Sequence, residues 1–178
     1  MKNTIVILLF SLGMPAWAES VNSVPQSIFA QQRLLVSQGT CESRWEEMAS
    51  EGMVNSIPLN SRTQLWVVPC AMWAYNMAWT VYVTIQEASH PDGFITKPMT
   101  FVAHSLNERI SASQVIYNPK FDSETQSLLS QYAMNGQPQC GFAAEYEWKD
   151  GAQVFAVTHL AANDDCKDPG KWDLLIKP

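Results

Sequence analysis

Gly141-Phe142-Ala143-Ala144-Glu145-Tyr146-Glu147-Trp148-Lys149-Asp150-Gly151-Ala152-Gln153-Val154-Phe155-Ala156-Val157-Thr158-His159-Leu160 is the stretch that decides the fold class. Apolar and polar side chains alternate through it, which is the period of a half-buried strand. Asp150-Gly151 interrupts the alternation with a two-residue type I′ signal, a turn whose two central positions both need positive φ. That turn predicts Trp148 opposite Gln153, Tyr146 opposite Phe155, Ala144 opposite Val157 and Phe142 opposite His159. The register gathers the aromatics on one face, with His159 among them, and leaves Glu145 and Glu147 on the other.

Cys140 and Cys166 flank this hairpin, and Cys41 and Cys70 complete a set of four. Four cysteines allow three pairings. Chain geometry favours Cys140–Cys166, provided that Asn163 to Asp165 curl back, and this leaves Cys41–Cys70 to tie a helix to a strand. No C-x-x-C is present and no histidine lies within a few residues of a cysteine, so disulfides are expected rather than a redox or zinc site. Each would close about 25 residues and contribute about 3–3.5 kcal/mol in the chain-entropy model.

The N-terminus fits an oxidising destination. Lys2 precedes an apolar region from Ile5 to Phe10 with Leu12, Pro15 breaks it, and Ala16-Trp17-Ala18 is a signal-peptidase pattern. The expectation is a signal peptide over residues 1–18, cleaved before Glu19. The run is too short for a membrane span, so no membrane anchor should remain after cleavage. The mature protein is expected in a bacterial periplasm or outside the cell. Removing Lys2 with that segment moves the formal charge from −6 to −7. Such a surface repels phosphate backbones, and a nucleic-acid partner is excluded as an expectation.

Elsewhere the periodicity is mixed. Pro25 opens a predicted helix over Gln26 to Val36 within an N-terminal segment, residues 19–40. Ser43-x-x-Glu46 is a capping box before a helix burying Trp45, Met48 and Ala49 and stopping at Gly52. Gln64 to Pro69 reads as a buried strand, and Ala78 to Gln86 as a strand with Trp79, Val81, Val83 and Ile85 on one face. Weaker strands are expected near Thr100 to His104, Arg109 to Tyr117 and Trp172 to Ile176. A second capping box, Ser123-x-x-Gln126, predicts a helix from Glu124 to Met134 presenting Leu128, Leu129 and Tyr132. The expectation is one disulfide-stapled α+β domain over residues 41–178, a mostly antiparallel sheet with two or three helices packed on it.

Candidate chemistry is sparse. His90, His104 and His159 have no metal-ligand spacing, and the chain has no nucleophile elbow, P-loop or dinucleotide fingerprint. No catalytic residue, metal or cofactor is therefore assigned. Asn163-Asp164-Asp165 with Asp168 forms an acidic loop, in which Asp164 and Asp165 are binding candidates. Glu145 and Glu147, about 7 Å apart on one strand face, could flank a glycosidic bond. Met72-Trp73-Ala74-Tyr75-Asn76-Met77-Ala78-Trp79 is the densest run of large side chains, and Trp73, Tyr75 and Asn76 are its binding candidates.

Three ordered blocks carry a resemblance. Leu65-Trp66-Val67-Val68-Pro69-Cys70 with Ala74-Tyr75-Asn76, then Asn118-Pro119-Lys120-Phe121-Asp122 with Thr125 and Leu128, then Cys140-Gly141 with Trp148, Asp150-Gly151, Phe155 and Cys166 resemble the signature of the DUF1176 family. The chain departs from it at Trp73, where the signature has glycine, and at Gly136-Gln137-Pro138-Gln139, where it has R-G-x-G-D. The resemblance implies an exported bacterial envelope protein and names no reaction. The expected function is a periplasmic, non-enzymatic binding protein for an envelope protein or cell-wall component. One version is an inhibitor or immunity protein facing a basic hydrolase; the rival is an envelope hydrolase using surface carboxylates.

Overall fold

A computed structural model describes residues 24–104, 110–137, 139–168 and 171–177. The expected signal peptide and its cleavage site lie outside the described residues. The architecture corrects the α+β expectation. The protein is mostly β, with three sheets and two helices among the described residues.

The first sheet is built from β1 (Asn55–Asn60), β2 (Thr63–Met72), β3 (Met77–Gln86) and β4 (Phe94–Pro98) in that order, all antiparallel. A short ribbon, β5 (Phe101–Ala103) and β6 (Ser111–Ser113), follows, and then β7 (Val115–Tyr117), which pairs with the first half of β3. The second sheet is a meander of β8 (Lys120–Asp122), β9 (Ser127–Ala133), β10 (Gly141–Lys149), β11 (Val154–Asn163) and β12 (Asp173–Ile176). Inward side chains of both sheets make one core, in which Leu65, Val67, Val81 and Val83 meet Leu128, Tyr146, Trp148 and Leu160. Such sheet-on-sheet packing buries alternate residues of each strand.

The outer face of the first sheet is covered as well, by helix α1 (Gln26–Ser37) and the short helix α2 (Trp45–Met48). Strand β3 therefore has no polar solvent face, although its sequence alternates. Thr80, Tyr82 and Thr84 are buried under the helices. Gln32, fully buried on α1, makes this possible. Its Oε1 accepts from Thr80 Oγ1 (2.9 Å) and Tyr82 Oη (2.7 Å), and its Nε2 donates to Pro69 O (2.9 Å). The network satisfies each of these groups, and burying any of them unpaired would be costly.

The predicted helix from Glu124 to Met134 is instead a turn and β9. The Asp122 carboxylate accepts from the amides of Glu124 (2.9 Å) and Thr125 (3.4 Å), and Gln126 takes φ 51°. Those contacts reverse the chain where the capping box was expected. Strand β9 then finds partners on both sides, β8 and β10, with Leu128 buried and Leu129 exposed. Long-range pairing has overridden a local helix signal. The box at Ser43 does not form either. Arg44 occupies the cap position of α2, and Glu46 pairs with Arg33 at 3.0 Å.

The hairpin exists, with its register moved. Residues Asp150 to Gln153 form a four-residue loop in which Ala152 and Gln153 amides both donate to Lys149 O, and Gln153 rather than Gly151 takes positive φ. Trp148 consequently faces Phe155 and Tyr146 faces Val157, a shift of two that preserves the faces. A bulge then absorbs Thr158, so Ala144 faces Leu160 and His159 turns to the outer face opposite Glu145. Both favoured disulfides are present: Cys41–Cys70 joins the α1–α2 loop to β2, and Cys140–Cys166 closes the far end of the hairpin.

Candidate functional site

The two sheets meet at one end through the side chain of Asn76. Met72 and Met77 are the last pair of the β2–β3 ladder, and residues 73–76 form a tight loop closed by Trp73 N donating to Asn76 O (2.9 Å). The Asn76 amide then acts as an added piece of strand against β9. Its Nδ2 donates to Ala133 O (2.8 Å) and its Oδ1 accepts from Ala133 N (2.9 Å). Asn118 sits at φ 43°, donates to Asn76 Oδ1 (3.1 Å) and Gln131 O (3.0 Å), and accepts from Met77 N (2.9 Å). Two small residues let the chains approach this closely. A Cβ on Gly141 would stand 1.9 Å from Tyr132 O, and one on Gly136 would stand 2.7 Å from the ring of Tyr75.

Beside this brace lies a cleft of about 610 Å³. Trp73, Tyr117, Tyr132 and Phe142 form its aromatic wall, and the β5–β6 ribbon forms the facing one with Ser111, Ala112 and Ser113. Tyr132 stacks on Phe142 with ring centroids 5.6 Å apart, and Tyr117 meets Tyr132 edge-on at 4.9 Å. Trp73 leans towards Tyr117 at 5.9 Å and stays half exposed at the mouth. His104, whose side chain is buried, also lines the cleft and lies 3.0 Å from Asp164 through Nε2. None of the described lining residues is Asp, Glu, Lys or Arg.

The polar edges of the wall are open. Among the described residues, the Tyr117 and Tyr132 hydroxyls, the Trp73 indole N–H and Ser111 Oγ have no hydrogen-bond partner, and none of the protein's unpartnered side-chain polar atoms is sealed in the core. Water reaches these four groups. Burial pushes the Tyr117 phenol above its ordinary range, with the neighbouring Tyr132 adding to the effect. It is a neutral donor at physiological pH. Ser111 Oγ does not hydrogen-bond to His104, so the nucleophile–base contact of a serine triad is not formed among the described residues.

A model of the family described as "Protein of unknown function (DUF1176)" matches residues 14–177. The chain belongs to this family. No curated protein and no solved structure matches it. The three blocks of the DUF1176 resemblance turn out to be neighbours in space, since Tyr75, Asn76, Asn118 and Gly141 all belong to the brace behind the cleft.

Of the binding candidates in this DUF1176 protein, Trp73 and Asn76 line the cleft and Asp164 holds its imidazole. The Asn76 amide is taken up by the brace, which leaves Trp73 as the more available of the two. Tyr75 is exposed and lies over Gly136, outside the lining. Asp165 lies apart, with its carboxylate accepting from Lys167 N (3.0 Å) in the loop after β11. No group of three or more His, Cys, Asp or Glu among the described residues is arranged to hold a metal ion. Glu145 and Glu147 lie on the outer face of the second sheet, where Glu147 pairs with Lys149. Tyr117, Tyr132 and Phe142 were not singled out from sequence. They come from three strands, and their convergence depends on β9 being a strand.

Proposed function

We propose that this protein is an exported, non-enzymatic binding protein of the bacterial envelope, and that the aromatic cleft takes an envelope protein or cell-wall component. The observation that carries the reading is the character of the cleft wall. It joins ring faces to unpartnered neutral polar edges, held on a rigid brace, and its described lining residues include no Asp, Glu, Lys or Arg. Concave, largely apolar sites with a few oriented polar groups are the usual form of a binding pocket. The two disulfides support an oxidising, extracytoplasmic setting.

Co-purification from crosslinked envelopes tests this. The wild-type protein retains an envelope component, and Trp73→Ala reduces its recovery. Turnover of a peptidoglycan, glycan or ester substrate, lost in Glu145→Gln or Glu147→Gln, would favour the hydrolase instead. A second reading is favoured by the acidic surface and by the exposed Met72, Trp73 and Tyr75 beside the cleft. It makes the protein an inhibitor of a basic hydrolase, forming a stoichiometric complex that weakens as salt rises.

A further inference from the structure

We infer that the cleft binds a short neutral glycan, with one pyranose ring stacked on Trp73 at the mouth and its hydroxyls meeting the polar edges of the wall. The inference rests on the binding reading above and names the ligand class for the same site.

Charge narrows the choice first. A phosphate or carboxylate entering the cleft would shed water and find no Lys or Arg among the described lining residues. A cation would find ring faces, but Asp164, a described carboxylate beside the cleft, is engaged with His104. A neutral ligand avoids both penalties. Polarity narrows it next. A purely apolar ligand filling the cleft would strip water from the Tyr117 and Tyr132 hydroxyls, the Trp73 N–H and Ser111 Oγ without replacing the lost hydrogen bonds. A sugar ring supplies both complements, because its C–H face is apolar and its rim carries hydroxyls that donate and accept. Ser113 is not among the available groups, since its hydroxyl already bonds the Val115 backbone.

The geometry fits that pairing. Trp73 is half exposed, its ring tilted 34° to that of Tyr117, so about half of its surface remains open to solvent. Tyr132 and Phe142 are fixed by stacking and by Gly141, which places the strand carrying Phe142 tightly against Tyr132 O. Rigid aromatic surfaces lose little freedom on binding.

Titration of the full-length exported protein, followed by tryptophan emission and isothermal calorimetry, provides the test. The probes are the neutral trisaccharides of N-acetylglucosamine and of glucose, a de-N-acetylated glucosamine trimer as cationic analogue, and a galacturonic acid trimer as anionic analogue. At least one neutral trimer should saturate the protein below about 10 mM and bind at least about tenfold tighter than either charged trimer. Trp73→Ala should weaken it by about tenfold or more. Tyr132→Phe, which removes one hydroxyl and leaves the ring stack, should weaken it severalfold.

Stronger binding of a charged trimer would overturn the inference, as would failure of both neutral trimers to bind. If Trp73-dependent capture of an envelope protein accompanied that failure, the binding reading would stand and the glycan assignment would fall. Cleavage of a bound trimer, read by mass spectrometry, would sink the non-enzymatic reading while leaving the glycan class intact.

Discussion

Asn76 can be tested quantitatively because its side chain does backbone work. In Asn76→Ala the protein loses three hydrogen bonds, of 2.8, 2.9 and 3.1 Å. Asn118 keeps its bond to Gln131 O, whereas the Ala133 N–H and C=O lose a partner that is 7% exposed. A hydrogen bond contributes about 1 kcal/mol net, and a buried group left unpaired costs about 1–3 kcal/mol. Because the adjoining cleft admits some water, the expected loss is about 2–4 kcal/mol. In a domain of this size that lowers Tm by roughly 4–16 °C. Urea unfolding followed by tryptophan fluorescence should show the midpoint moving with the slope unchanged. Asn76→Asp sharpens the test. The carboxylate still accepts from Ala133 N, but it faces Ala133 O where Nδ2 donated. Burial and that carbonyl raise its folded pKa above the unfolded value, so the repulsion is present at neutral pH and relieved as pH falls through the folded pKa. The Asp variant should therefore regain stability relative to wild type on acidification, and the Ala variant should not. A loss below about 0.5 kcal/mol for Asn76→Ala, or parallel pH profiles for the two variants, would show that Asn76 does not join the sheets.

Burial pushes the Tyr82 phenol up to about 12, so its stabilising effect is complete below the unfolded value near 10 and fades as pH rises towards 12. Tyr82 should account for up to about 2–3 kcal/mol of the loss across that window, with tyrosinate absorbance rising late, and Tyr82→Phe should remove that share while leaving the part due to Tyr146 and Tyr117, whose phenols burial also raises. Gly141→Ala puts a Cβ against Tyr132 O at φ 123°, and should either abolish folding or lower stability by about 3 kcal/mol or more, read by yield and thermal melt. Replacing Cys166 with serine opens a 26-residue separation and should cost about 3.5 kcal/mol in urea unfolding.

Sequence carried the parts of the fold whose signals are local and agree. Strand β3, the existence of the long hairpin and the burial of Trp45, Met48 and Ala49 follow from period and turn chemistry. The cysteine pairing follows from chain geometry. The errors have a common cause. Ser123-x-x-Gln126 with Leu128, Leu129 and Tyr132 satisfies a helix locally, and nothing within those residues reveals that β8 and β10 wait on either side. Strand β1 carries Pro58, a residue that argues against a strand and that an edge position tolerates. The hairpin register failed because Asp150-Gly151 suits a two-residue turn, whereas matching Trp148 with Phe155 across the ladder buries more apolar surface. His159 went astray with it.

The candidate site was half legible for the same reason. Trp73 and Asn76 stand in a dense local run, while Tyr117, Tyr132 and Phe142 acquire meaning only once three strands are aligned. The residues around the cleft then divide by task. Asn76, Asn118 and Gly141 spend their special conformations and amide groups on joining the sheets, and these belong to the blocks that resemble the family. Trp73 contributes ring surface to the cleft, and its side chain makes no hydrogen bond to the brace. A side chain at the rim of a cleft whose back wall is fixed alters what the cleft holds more than whether the protein folds. Trp73→Gly should therefore lower the melting temperature by less than Asn76→Ala does, while removing most of the ligand affinity. If that substitution instead unfolded the protein and spared binding, the division between brace and rim would be wrong.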